Sequence, residues 1–170
     1  MIRLCSIKQL IALKSKQVHH NSVAAVICSS YEVNITKLSW IPNKLILCFD
    51  DITNAGNKRA FNCNHAQQIK RFIDGLDPKR LLYICCDSGQ SRSAALTAAT
   101  YRYLHKDEMI IWKDPHLHPN PLVYRIMCNV YGCTINRAQI WFFMRINHYV
   151  TGREIRNSRH RRHRHMQLER

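Results

Sequence analysis

The chain of 170 residues carries a formal net charge of +15 at pH 7, and 46% of its residues are hydrophobic. This length fits one ordinary domain with a sizeable buried core, and no run of about 18 consecutive apolar residues predicts a membrane span. Such a positive surface favours anionic partners, namely phosphorylated proteins, nucleotides, nucleic acid or anionic lipid. Solubility alone is the other interpretation of the charge.

The cysteines and the N-terminus indicate the compartment. Several of the eight cysteines lie inside apolar runs such as "LILCFD" and "AAVICSS", where a reduced thiol packs as a small hydrophobic group. The N-terminal sequence "MIRLCSIKQLIALKSK" is interrupted by Lys8 and Lys14 and lacks the continuous apolar core of a signal peptide. We therefore expect a cytoplasmic protein whose thiols stay free.

In chain order, strand-like segments alternate with helix-like segments. Residues 1–20 suggest a strand followed by a helix. Short apolar runs bounded by polar residues predict buried strands at 22–33, 44–51 and 80–86. Apolar residues at helical spacing predict helices at 64–76, 93–104, 121–130 and 136–150. This alternation predicts an α/β fold with a central, mostly parallel sheet flanked by helices.

The C-terminal segment differs in composition from the rest of the chain. Residues 152–170, "GREIRNSRHRRHRHMQLER", contain seven arginines and few apolar side chains. We expect a domain over residues 1–151, followed by a basic tail that is disordered or loosely helical. Such a tail is either a solvated end or a segment that binds nucleic acid or an acidic partner.

The sequence "CDSGQSRS", residues 86–93, lies where a predicted strand gives way to a predicted helix. A loop in this position can curl so that its backbone N–H groups and the helix dipole bind an anion. Gly89 permits the tightest part of the curl, and Arg92 offers a planar fork for two phosphate oxygens. Cys86 would then be a stabilised thiolate aimed at a bound phosphorus. A buried cysteine in an ordinary turn is the alternative.

At these residues the sequence resembles the cysteine-dependent protein tyrosine and dual-specificity phosphatases, in particular small members of the bacterial or phage type. Their signature, His-Cys-x2-Gly-x2-Arg-Ser/Thr between a strand and a helix, matches Cys86, Gly89, Arg92 and Ser93. Cys85 stands where the family has histidine, so it is either a core thiol or a thiol that responds to oxidants with another cysteine. The resemblance implies a dual-specificity-phosphatase-like fold and covers residues 44–104 best.

The resemblance also implies a role for each residue of the site. Cys86 would be the nucleophile, and Ser93 would assist breakdown of the phosphocysteine intermediate; as an alternative, Ser93 only caps the helix. The phosphate would be bound by Arg92 and by the loop residues Asp87, Ser88, Gly89, Gln90 and Ser91. The family uses an aspartate, first as acid and then as base.

Two aspartates are candidates for this acid. Asp50 and Asp51 end the predicted strand at 44–51, and the carboxyl ends of parallel strands meet at one edge of a sheet. We expect Asp51 to be the acid because it leads directly into the loop, with Asp50 as a helix cap or loop anchor. A structural role for both aspartates is the alternative.

The favoured function is hydrolysis of phosphomonoesters, most of all protein phosphotyrosine, with no cofactor and no metal. The alternatives are an RNA 5′-phosphatase on the same loop, favoured by the positive charge, and a non-catalytic phosphate-binding module. Phosphoinositides fit less well because the loop has an acidic Asp87 and no lysine. A sulfur transferase is disfavoured because the loop ends in Arg-Ser. A metal site at the histidines is disfavoured because no paired Cys-x2-Cys spacing accompanies them.

Overall fold

Four parallel strands form the centre of the fold. The structure is a computed structural model that describes residues 1–13 and 22–168, with side chains described as far as residue 158. The strands lie in the order β1–β4–β2–β3. Their bounds are β1 Ile2–Ser6, β2 Val23–Ser29, β3 Asn43–Cys48 and β4 Leu81–Cys86. The predicted α/β fold with a parallel sheet is confirmed, although part of the segment at 1–20 lies outside the described residues.

Helices cover both faces of this sheet. Their bounds are α1 Ile7–Ala12, α2 Cys63–Asp74, α3 Arg92–Tyr103, α4 Met109–Trp112, α5 Pro121–Val130 and α6 Arg137–Leu168, with a short 3-10 helix at Ile35–Leu38. The predicted start of α5 is confirmed, since Pro121 occupies its first turn and the Asn120 side chain accepts hydrogen bonds from the Leu122 and Val123 amides.

The alternation of side chains along the strands divides the core in two. Cys86 faces the larger cluster, which includes side chains of α2, α3, α5 and the start of α6. Cys85 faces the smaller cluster, which includes Leu10 of α1 and Leu38 of the 3-10 helix. Neighbouring residues of a strand point to opposite faces of the sheet, so the two adjacent cysteines belong to different environments.

The last helix is longer than the sequence pattern predicted. A helix was expected over 136–150, but α6 runs from Arg137 to Leu168 through the segment expected to be disordered or loosely helical. Arginine is a good helix former, and Gly152 is the only glycine or proline in this stretch. Asn147 also fixes the helix to the body by donating hydrogen bonds to backbone carbonyls, including that of Leu117 at 2.8 Å. A domain boundary near residue 151 remains a prediction.

No helix within residues 1–13 and 22–168 is both long enough and apolar enough to cross a membrane.

Candidate active site

The predicted site residues meet at the carboxyl edge of the sheet. Cys86 ends β4, Ser29 ends β2, and Asp51 follows β3 by three residues. A loop of five residues, 87–91, connects β4 to α3 (hereafter the 86–93 loop, from Cys86 to Ser93). The topology therefore gathers the ends of three neighbouring strands around this loop, as the parallel sheet requires.

Gly89 adopts a conformation that other residues rarely adopt. Its φ is +76°, and a Cβ atom at this position would lie 2.6 Å from the Ser6 backbone nitrogen and 2.8 Å from the Cys5 carbonyl carbon. Both the left-handed backbone and the close approach of β1 therefore exclude a side chain here. On its other side the 86–93 loop is held by a hydrogen bond from the His118 amide to the Gln90 carbonyl, 2.9 Å long.

The Cys86 sulfur lies beside the start of α3. Its Sγ atom is 3.0 Å from the Ser93 hydroxyl oxygen, which can donate a hydrogen bond to a thiolate. No side chain caps α3 at Ser91, so the first backbone amides of this helix keep their donors available. Cys86 has no solvent-exposed area, so the residues around the sulfur must move for a phosphate to reach it.

Arg92 is buried, and protein groups already hold most of its guanidinium. Nη1 donates to the Phe49 carbonyl at 2.7 Å and to the Ser30 hydroxyl at 3.1 Å, and Nη2 donates to the Asp87 carboxylate. A guanidinium has five N–H groups, so two remain after these three bonds. One of the two is on Nε, which is buried and has no acceptor among the described residues. An unsatisfied buried donor costs about 1–3 kcal/mol, and a bound oxyanion would satisfy it.

Asp87 orients Arg92 through its side chain. Its carboxylate accepts hydrogen bonds from the Ser29 hydroxyl at 2.9 Å and the Ser30 amide at 3.1 Å, besides the bond from Arg92. Burial alone would raise the pKa of Asp87, but these hydrogen bonds outweigh it and hold the pKa below its ordinary value. The carboxylate is thus ionised at neutral pH, and it fixes the guanidinium against the end of β2.

The two candidate acids have different surroundings. Asp50 forms a salt bridge with Arg59, whose Nε is 2.7 Å from the carboxylate, and this contact lowers the pKa of Asp50. Asp51 instead accepts hydrogen bonds of 2.8 Å from the Ser91 hydroxyl and from the Asn120 side-chain amide. Asp51 therefore touches the 86–93 loop, whereas Asp50 is engaged with the Arg59 side chain on its own loop.

Cys85, at the place of the family's histidine, lies in the opposite layer from Cys86. Its sulfur is 3.1 Å from the sulfur of Cys5 on the neighbouring strand β1. The hydrogen bond with Cys5 and burial together raise the pKa of Cys85 well above that of an ordinary thiol. Cys85 is therefore a protonated core thiol paired with Cys5. All eight cysteines are free in the structure.

A cleft of about 480 Å³ opens beside the 86–93 loop. Asp51, Ser91 and Asn120 form the side nearest the loop. Apolar groups of Trp112, Pro119, Pro121 and Met144 line it further out, together with polar groups of His118, Asn147, His148 and Thr151. No local pattern indicates the contribution of α6, because Met144 and His148 lie more than 50 positions after Cys86 and reach the cleft only in the fold.

Within the described residues there is no group of three histidine, cysteine or acidic side chains that could hold a metal ion. His118 lines the cleft and His116 precedes it by two residues in the chain, and neither belongs to such a group. The tail histidines at 160, 163 and 165 lie outside the described side chains.

The solved structures that are similar to this chain include two of PTPMT1. The crystal structure of PTPMT1 is 17% identical, with 92% of this chain and 95% of that chain covered and a TM-score of 0.44. The crystal structure of PTPMT1 in complex with PI(5)P is 14% identical, with 91% and 94% covered and a TM-score of 0.44. No protein-family model and no curated protein matches the chain. The parallel α/β fold and the Cys-x5-Arg-Ser loop between β4 and α3 are those expected of the cysteine-dependent phosphatases.

Proposed function

We propose that the protein is a cysteine-dependent phosphatase that hydrolyses phosphomonoesters through a phosphocysteine intermediate. The observation that carries this proposal is the arrangement at the carboxyl edge of the sheet. There the Cys86 sulfur lies 3.0 Å from the Ser93 hydroxyl, the buried Arg92 keeps an unsatisfied Nε–H, and Asp51 contacts Ser91 of the same loop.

In the first step the Cys86 thiolate attacks phosphorus and the bond to the leaving oxygen breaks. Asp51, protonated at this stage, gives its proton to that oxygen, and the phosphoryl group stays on the sulfur. Arg92 and the loop amides bind the equatorial oxygens, where negative charge is concentrated in the transition state. Because Arg92 is already fixed by Phe49 and Ser30, its guanidinium needs little reorganisation once a phosphate is bound.

In the second step the Asp51 carboxylate takes a proton from water while the water oxygen attacks phosphorus. The S–P bond breaks, inorganic phosphate leaves, and Cys86 departs as a thiolate. The Ser93 hydroxyl stabilises that thiolate by a hydrogen bond, which the 3.0 Å separation supports. Asp51 is protonated again at the end, so the cycle closes without a metal or cofactor.

Protein phosphotyrosine is the substrate that we favour. The cleft beside the loop has apolar walls at Met144, Pro119 and Pro121, and such walls suit a flat aromatic leaving group. Asp87, whose carboxylate is beside Arg92, disfavours polyphosphorylated substrates such as phosphoinositides because a second phosphate would lie near its negative charge.

RNA with a 5′-phosphate is the second candidate substrate. The observation that favours it is the position of α6, because this arginine-rich helix supplies Met144 and His148 to the cleft wall. A nucleic acid held by such a helix would have its end close to the 86–93 loop. The positive net charge of the chain agrees with this candidate.

A substrate panel tests the proposal and separates the candidates. Phosphotyrosine peptide, phosphoserine peptide, a phosphoinositide and 5′-triphosphorylated RNA are each assayed for phosphate release with the wild type and with Cys86→Ser. We expect turnover of the peptide with phosphotyrosine, its loss in Cys86→Ser, and retained activity in chelator. Equal turnover by Cys86→Ser would exclude the covalent mechanism. Binding of vanadate or phosphate without turnover of any substrate would instead support a non-catalytic module.

A further inference from the structure

The outward face of α6 carries aromatic rings in alternation with arginines. Trp141, Arg145, Tyr149 and Arg153 follow one another at intervals of four residues, and all four are exposed. We call these four residues the aromatic–arginine stripe. Trp141 and Tyr149 expose 62% and 63% of their surface, a large apolar exposure for two rings on the same helix.

The geometry of a helix makes these four side chains neighbours. Residues four apart lie on adjacent turns, about 6 Å apart along the axis and rotated by about 40° from one another, so that ring and guanidinium alternate along a line that winds across the exposed side of the helix. The Arg145 guanidinium lies over the Trp141 ring at 5.5 Å, which shows that neighbouring members of the stripe are in contact. Phe142, also 54% exposed, lies beside this line.

The stripe is held facing away from the body of the protein. On the opposite side of α6, Phe143 is buried and Asn147 donates hydrogen bonds to the carbonyls of Trp112 and Leu117. These contacts fix the rotation of the helix, so the exposure of the stripe does not depend on a flexible attachment. Glu154 is the only acidic residue between 137 and 168, against eight arginines.

This pattern fits one kind of anionic partner better than the others. A helix that lies in a bilayer surface separates an apolar face from a cationic face, whereas here rings and guanidiniums alternate on the same face. An acidic peptide would pair with the arginines but would leave the rings without a role. Single-stranded nucleic acid uses both, since bases stack on aromatic rings while phosphates pair with arginine.

We propose that the aromatic–arginine stripe of α6 binds single-stranded RNA. The binding does not depend on the phosphatase activity or on which phosphoester is the substrate. Met144 and His148 of the same helix line the cleft beside the 86–93 loop, so an RNA on the stripe runs past the opening of that cleft. The helix continues to Leu168, and Arg156, which is also exposed, adds a further positive charge one turn beyond Arg153.

Fluorescence anisotropy with a labelled single-stranded RNA that carries a 5′-hydroxyl tests this proposal, because such an RNA offers no phosphate monoester to the catalytic site. The full chain is compared with Trp141→Leu/Tyr149→Leu, which keeps apolar surface and removes the rings, and with Arg145→Gln/Arg153→Gln. Arg71→Gln, at an exposed arginine on α2, is the control for the loss of one positive charge outside α6. Circular dichroism and thermal unfolding establish that each variant is folded.

We expect the double leucine variant to bind about 5- to 150-fold more weakly for each ring that contacts a base. The double glutamine variant should reduce the slope of log K against log salt by about 1.4, since each phosphate contact contributes about 0.7 on single strands. Arg71→Gln should bind like the wild type.

Three results would overturn the proposal. The first is no binding by the wild type at low salt. The second is equal binding by the wild type and both stripe variants. The third is strong binding to phosphatidylserine vesicles that survives Trp141→Leu/Tyr149→Leu, because leucine still enters a bilayer although it cannot stack on a base. Loss of phosphatase activity in Cys86→Ser leaves all of these measurements unaffected, so failure of the proposed function and failure of RNA binding are distinguishable.

Discussion

Substitution of Gly89 by alanine tests whether the curl of the 86–93 loop is needed for catalysis. The residue has a φ of +76°, which costs an L-residue about 1–2 kcal/mol. The new Cβ would also lie 2.6 Å from the Ser6 backbone nitrogen, against 3.4 Å for ordinary contact. Because the obstructing atoms, the Ser6 nitrogen and the Cys5 carbonyl carbon, belong to the backbone of β1, the 86–93 loop itself must move by about 0.8 Å.

A displacement of that size acts on the chemistry more than on the stability. A misplacement of about 1 Å can reduce a rate by about 10²-fold, since loop amides and Arg92 would no longer point at the phosphate oxygens. Gly132→Ala is the matched control: its φ is +72°, but no atom lies within 4 Å of the added Cβ. It should lose about 1–2 kcal/mol of unfolding free energy and keep its activity.

The two variants are compared by urea unfolding and by kcat/KM for 4-nitrophenyl phosphate. We expect Gly89→Ala to lose at least as much unfolding free energy as Gly132→Ala and about 100-fold in kcat/KM. If Gly89→Ala hydrolyses the substrate within twofold of the wild type, the loop does not position the reacting groups as described. An equal loss of activity in Gly132→Ala would point to general destabilisation instead.

Further predictions concern the ionisable groups around the loop. Arg92→Lys should lose at least 10²-fold in kcat/KM, because an ammonium lacks the planar fork that donates to the Phe49 carbonyl, the Ser30 hydroxyl and a phosphate together. Near-normal kinetics would contradict the proposed binding of phosphate by Arg92. Asp51→Asn should flatten the basic limb of the pH–rate profile and lose about 10²–10⁴-fold with poor leaving groups, whereas Asp50→Asn should not, and the reverse result would identify Asp50 as the acid. Asp87 has a lowered pKa, so its contribution to stability is present above about pH 4 and lost as the pH falls further. Asp87→Asn should therefore make the free energy of unfolding less dependent on pH below about pH 4. An unchanged pH dependence would rule out this contribution of Asp87. Burial lowers the pKa of His65, so the stability that depends on its neutral imidazole is present above about pH 6.5 and lost below that pH. His65→Gln, which keeps the capping box of α2, should remove that loss of stability. If the melting temperature of the variant still falls with pH as much as that of the wild type, another group is responsible.

The local pattern of the sequence was sufficient for the strands, for most helices and for the loop. The strands β2, β3 and β4 are short and apolar, and the Asn120-Pro121 start of α5 depends on neighbouring residues alone. The place of Gly89 in the loop could also be predicted, because the tightest part of the curl requires a residue without a side chain. The pattern is less informative at the end of α6, where the basic composition predicts a disordered or loosely helical tail. The structure has a helix as far as Leu168, and arginine is a good helix former.

The surroundings of the two aspartates could not be predicted, because they depend on how the chain folds between each aspartate and its partner. Asp51 accepts a hydrogen bond from Asn120, which is 69 positions away. Asp50 is bound by Arg59, whose reach depends on the conformation of the loop between them. The contact of Asp87 with Arg92, five residues later, depends on the same curl that Gly89 permits. Sequence spacing indicated which residues meet, but not which atoms bond.

The covalent intermediate is the most direct test of the account. Asp51→Asn is mixed with 4-nitrophenyl phosphate, a substrate whose leaving group needs no acid, in a stopped-flow instrument, and the quenched protein is digested and analysed by mass spectrometry. We predict a burst of nitrophenolate equal to the enzyme concentration, with phosphate on the peptide that contains Cys86. Turnover without a burst, together with phosphate on no cysteine and full activity in Cys86→Ser, would contradict the central claim that this thiol attacks phosphorus.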